Sequence, residues 1–176
     1  MIASGHSSTG VIVGVGAVAL AQNGASLAWL LPVTLAVGVA SHYFCDFIPH
    51  GHYHMSFGGA TRKQLSIFLL DLTGVVILFG GIALHKFGFG ADLWLIAAGV
   101  LGAQIPDMYE ALVDLKMLPK NRFSEAHRHW HWDILHWHSH RGPRLTKDTR
   151  ALGWIDLWQV AVFGISLWLL IRVPSR

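Results

Sequence analysis

The chain has 176 residues, 53% of them apolar and 13% charged, with a formal net charge of +3. That balance is too apolar for an ordinary soluble domain of this length and points to one small membrane domain, so the modest basic excess needs no nucleic-acid partner to explain it. The single cysteine, Cys45, excludes an intramolecular disulfide framework.

Because a span needs roughly 20 residues to cross the hydrocarbon, the apolar pattern predicts an all-α polytopic bundle of about five transmembrane helices, over residues 6–22, 27–48, 64–84, 92–108 and 152–173, plus an interfacial helix over 124–139. In the first span, His6 precedes Ser7, Ser8 and Thr9, an N-cap cluster that places it at the start of the helix. Val11 to Ala21 has the apolarity of a signal-peptide core, but Met1 to Gly10 carries no Lys or Arg, so the segment is expected to stay as a helix. Gly14, Gly16 and Gly24 have no phosphate-cradling spacing and suit close packing of membrane helices.

The second span carries His42 and Asp46, four residues apart and therefore stacked on one face with Cβ atoms about 5–6 Å apart. An imidazole nitrogen and a carboxylate oxygen in that relation can chelate one divalent metal; the plainer alternative is a hydrogen bond in which Asp46 only orients the ring. In an apolar span an unpaired carboxylate is costly, which favours a function. The loop His50-Gly51-His52-Tyr53-His54 reads as mostly solvated, and of its histidines only His50, beside the Pro49 turn, is a ligand candidate.

Asp71 lies about two turns into the third span, where an ionisable group is a functional candidate for ligation or catalysis, a hydrogen bond to Thr34 or Thr73 being the alternative. The fourth span ends on Ile105-Pro106-Asp107, a weak repeat of Ile48-Pro49-His50, and Asp107 is both a ligand and a catalytic candidate. From Ser124 to His140 a His/Trp segment is too polar to span. At 100° per residue His127, His131 and His138 fall within about 40° of one another, beside Trp130, Ile134 and Trp137, while His129, His136 and His140 share the opposite face with Asp133. It reads as an interfacial helix that closes over the bundle with His127 or His131 as ligands; an aromatic belt with incidental histidines is the alternative.

Alternating the spans puts Arg62, Lys63, Lys116, Lys120, Arg122, Arg128, Arg141, Arg144, Lys147 and Arg150 on one side and Lys86, Arg172 and Arg176 on the other. The richer side is cytoplasmic by the positive-inside rule, which places the N-terminus in the cytoplasm and the C-terminus opposite. Of the 12 histidines all but His85 then gather at the cytoplasmic end.

Ser41-His42-Tyr43-Phe44-Cys45-Asp46-Phe47-Ile48-Pro49-His50, the N-terminal histidine, Asp71, Pro106-Asp107 and the late His/Trp segment together resemble the membrane-bound metal-dependent hydrolases, a family distantly related to zinc-dependent phospholipase C and P1-type nucleases. The resemblance implies a helical inner-membrane metallohydrolase, with His6, His42, Asp46 and Asp107 as ligands and phosphoesters as substrates. Ile105-Pro106-Asp107-Met108-Tyr109 departs from it by lacking a second aspartate and a histidine that some relatives carry there. The expectation is thus a site of one or two divalent ions, zinc first and manganese or iron as alternatives, built from His6, His42, Asp46, Asp71, Asp107, His50 and His127 or His131. It would activate water against a lipid or lipid-linked phosphoester, with Asp71 or Asp107 as general base. The alternatives are a non-enzymatic membrane protein that handles divalent cations, protons or haem, and a degenerate scaffold.

Overall fold

The computed structural model describes residues 3–48, 73–135 and 157–175, which form six helices and no strand. They are α1 (Ala3–Gln22), α2 (Leu27–Phe47), α3 (Thr73–Phe87), α4 (Ala91–Asp114), α5 (Arg122–Arg128, continued by a π-type turn His129–Leu135) and α6 (Leu157–Arg172). Among these α2 alone is both long and apolar enough to cross a membrane; α3 and α6 are shorter apolar helices.

The helix boundaries follow local chemistry. Asn121 caps α5 reciprocally: its side-chain oxygen accepts from the Ser124 N–H at 2.9 Å, and the Asn121 N–H donates to Ser124 Oγ at 2.9 Å. Gly88, at φ +57°, makes the turn between α3 and α4 in a region disfavoured for side chains with a Cβ. Two helices depart from expectation. α1 begins at Ala3, so Ser7, Ser8 and Thr9 lie a turn inside it rather than capping it. Ser7 accepts instead from Gln104 Nε2 at 2.9 Å, and Thr9 Oγ1 donates to the His6 carbonyl at 2.8 Å. α4 continues through Pro106 to Asp114, beyond the predicted end at 108.

α1 and α2 both pack against α4, and glycines set how closely. A Cβ on Gly10 of α1 or on Gly38 of α2 would lie 2.6 Å from the same Gly99 carbonyl oxygen of α4. A Cβ on Gly99 would in turn collide with the Gly10 carbonyl, and one on Gly102 with the Leu35 carbonyl. Close backbone contact of this kind is the usual basis of helix association where water supplies no driving force. Beneath it Val11, Val15 and Val18 of α1 join Leu95 and Ile96 of α4, Phe79 of α3 and Leu170 of α6 in the apolar core.

The far end is closed by polar contacts to the last carbonyls of α6. Lys86 donates to the carbonyls of Leu170, at 2.9 Å, and Ile171, while Gln22 Nε2 donates to the Pro174 carbonyl at 2.7 Å. The C-terminal ends of α1, α3 and α6 therefore meet at one end of the bundle, and α2 and α4 run the opposite way. Many large apolar side chains point outward, including Trp29 and Phe44 of α2, Trp94 of α4 and Trp168 of α6.

Replacing Gly99 with Ala should force α1 and α4 apart and lower stability by about 1–3 kcal/mol, the usual range for overpacking. Gly16→Ala is the control, since a Cβ there meets nothing within 4 Å among the described residues. Thermal unfolding in detergent reads both, and equal melting temperatures for the two variants would refute the close-contact account.

Candidate metal centre

The glycine contact fixes what happens one turn above it. His6 precedes Gly10 by one turn of α1, and His42 follows Gly38 by one turn of α2. Asp46 and Asp107 project a turn further along α2 and α4. α5 lies across this end and adds His127 and His131. His6, His42, Asp46 and His131 are between 0% and 1% exposed, so their polar atoms must satisfy one another or a guest.

Two contacts fix the His42 ring. Its Nδ1–H donates to the Ala103 carbonyl of α4 at 2.8 Å, which leaves the Nε2 lone pair of the neutral ring pointing into the cluster. Pro106, inside α4 at this level, supplies no N–H to the Gly102 carbonyl, the neighbour of the one His42 uses. The His6 ring stacks on His42 with centroids 3.9 Å apart and planes 21° apart.

The donor atoms then converge. His42 Nε2 lies 3.0 Å and His131 Nε2 2.7 Å from Asp46 Oδ2, and the two ring nitrogens are 3.3 Å apart. His6 Nε2 lies 3.3 Å from Asp46 Oδ1. Asp107 is looser, at 3.7 Å from His42 Nε2 and 3.9 Å from His6 Nε2. Ligands held about 2.0–2.1 Å from a zinc-sized ion in tetrahedral array stand about 3.3–3.4 Å apart, so the 3.3 Å contacts match the edges of such a shell, while the 2.7 and 3.0 Å contacts to Asp46 Oδ2 are hydrogen-bond distances that would lengthen slightly around an ion. His6–His42–Asp107 and His42–Asp46–His131 each offer three donor atoms within 4.8 Å of one another, and so does Glu110–His127–His131. The residues fit a divalent cation. They do not fit a haem: ring nitrogens 3.3 Å apart that share one carboxylate oxygen leave no room for a porphyrin plane.

Behind this cluster lies a carboxylate not expected from the sequence. Glu110 Oε1 is 2.8 Å from His131 Nδ1 and 3.3 Å from His127 Nδ1, and the Tyr43 hydroxyl is 2.9 Å from His127 Nε2. The signal for Glu110 was its i, i+3 relation to Asp107, which becomes visible only if α4 is carried past Pro106. On the other face of α5, His129 and Asp133 form an exposed pair at 2.6 Å, as the helical projection had separated them.

The candidates thus sort into three groups. His6, His42, Asp46, Asp107 and His131 come together, and His127 joins through Glu110 rather than directly. Asp71 and His50 lie outside the described residues, as does His138 of the α5 stripe. Asp107, with its side chain 42% exposed, is where the cluster opens to the outside.

Burial opposes the charged form of His131, but hydrogen bonds to Asp46 and Glu110, and the negative charge of both, outweigh it and push the pKa from 6.5 up to about 9. His127 moves the other way, lowered first by burial and then by the nearby His131 and His42, against the pull of Glu110. In metal-free protein the His131 imidazolium therefore stabilises the fold fully below pH 6.5, and that contribution is lost as the pH rises through about 9.

Three outcomes follow. Zinc binding at pH 7.5 should release about one proton per ion, because the cation displaces the His131 proton, and calorimetry in buffers of different ionisation enthalpy measures it. Chelator-treated protein should melt at a lower temperature at pH 9.5 than at pH 7, while loaded protein should not. Metal content of purified protein should fall to background in both His42→Ala and Asp46→Ala, and unchanged content would remove the centre.

No family model matches the chain, and comparison with curated proteins and with solved structures gave no match.

Proposed function

We propose that the chain is a membrane-embedded metal-dependent hydrolase whose site faces the cytoplasm and acts on a phosphoester carried by a lipid or lipid-linked substrate. The observation that carries this reading is the meeting of His42 Nε2, His131 Nε2 and Asp46 Oδ2 within 3.3 Å at one end of an apolar bundle. A neutral imidazole pair with an ionised carboxylate is the donor set of a catalytic divalent ion, zinc first and manganese or iron next. When bound there, such an ion polarises a phosphoryl oxygen and makes water nucleophilic at neutral pH.

The chain's own residues have distinct tasks. Asp46 presents Oδ2 to His42 and His131 and Oδ1 toward His6, so one carboxylate gathers three imidazoles. Asp107, on the open side, is placed to take a proton from an attacking water. Asp71 remains the second candidate for that role. Phe44 and Phe47 of α2 and Trp130 and Ile134 of α5 leave apolar surface at the same end, which suits a substrate that stays in the bilayer. The apolar exterior and the span-length α2 support the five-span reading, and Lys116, Lys120, Arg122 and Arg128 near the site support its cytoplasmic orientation.

A second reading has its own support. With His42, His131 and Asp46 at 0–1% exposure, the centre has the enclosure of a site that holds a cation without reacting. Asp107→Asn separates the two. In the hydrolase the variant keeps its metal but loses about 10²- to 10⁴-fold in kcat on a panel of phosphomonoester and phosphodiester lipids. Loaded wild-type protein that cleaves none of the panel would leave the cation-holding reading.

A further inference from the structure

Glu110 is hydrogen-bonded to His131 and lies close to His127, but does not reach the converging donor atoms. It sits on α4 one turn past Asp107, buried, and a single oxygen, Oε1, faces His131 Nδ1 at 2.8 Å and His127 Nδ1 at 3.3 Å. The two histidines are one turn apart on α5, so this one carboxylate spans successive turns of the neighbouring helix.

The carboxylates on either side of His131 settle where its protons sit. The Tyr43 hydroxyl pairs with His127 Nε2 at 2.9 Å, and His127 Nδ1 lies 3.3 Å from Glu110 Oε1. His131 donates from both ring nitrogens in the metal-free protein, Nδ1–H to Glu110 Oε1 at 2.8 Å and Nε2–H to Asp46 Oδ2 at 2.7 Å; because Glu110 keeps the Nδ1 proton, a cation that displaces the other finds its lone pair at Nε2. On α2, the Ala103 carbonyl does the equivalent for His42. Each of the two central imidazoles therefore has an acceptor behind it, and once the His131 Nε2 proton is displaced each has a lone pair in front.

We propose that Glu110 is a positioning residue: it fixes the tautomer and ring orientation of His131 so that the cation is held through Nε2. The inference rests on the reading of this cluster as a cation centre. It also decides between two roles for Glu110, because Glu110, His127 and His131 form a donor triple of their own. With the His131 Nδ1–H donated to Oε1, that triple offers no His131 lone pair to a second ion.

The test is a zinc competition titration against a chromophoric chelator, with ring-¹⁵N-histidine NMR of the loaded protein. Glu110→Ala should lower affinity about 10- to 100-fold with stoichiometry unchanged, the range seen when a partner behind a ligand is removed. Glu110→Gln, which keeps an acceptor but not the charge, should fall between it and wild type. Loaded wild type should show His131 protonated at Nδ1 and coordinated through Nε2, a signature that a purely structural role would not produce and that needs no variant to fold. Wild-type affinity in Glu110→Ala, or His131 bound through Nδ1, would overturn the inference. Loss of one whole equivalent of zinc in both variants would overturn it in favour of Glu110 as a ligand. If wild type takes up no zinc, the cation centre itself fails and the inference goes with it.

Discussion

Everything at the candidate centre depends on how closely three backbones approach at Gly99 and Gly102. α4 can touch α1 and α2 at once only because neither side of the contact carries a Cβ there. The functional side chains stand one or two turns above that point, so an error in helix separation passes directly into the distances between donor atoms. Donor atoms must match a small ion to within a few tenths of an ångström, and rigid backbone contact meets that need better than long side chains packed against one another. The apolar core below, from Val11 to Leu170, supports the contact but does not set its spacing.

A second constraint is electrostatic. Asp46 is almost wholly buried, and an isolated carboxylate in such a place would be strongly disfavoured. Its company is three imidazoles from three helices, with Glu110 behind one of them. In metal-free protein the His131 imidazolium, between two carboxylates, lowers this cost, and the same donor atoms could hold a cation in place of the proton. The cluster is thus a place where positive charge is required and where its carrier can change.

Much of this was legible in the sequence, for physical reasons that differ by residue. His42 and Asp46 share a helix face by spacing alone, and the projection of α5 separated the inward His127 and His131 from the outward His129 and Asp133. The all-helical class followed from the apolar runs. Glu110 was not legible because Pro106 reads as a helix end, whereas proline within a tightly packed helix is tolerated when other groups use the carbonyls it exposes. Nor was the true setting of Ser7, Ser8 and Thr9, whose cap-like order hides a role inside α1 that depends on Gln104, nearly a hundred positions later. Local patterns reveal faces; they do not reveal which distant residue a face will meet.

The contact between Asp46 and His131 joins residues 85 positions apart. At about 5–20 residues per second, the ribosome completes α2 several seconds before it supplies α5. During that interval the carboxylate lacks its closest imidazole, and of its described histidine partners His6 and His42 have already been made. Biosynthesis of the chain therefore passes through a stage with an exposed, incompletely balanced negative centre, and the last segment to reach the cluster is also the one that seals it.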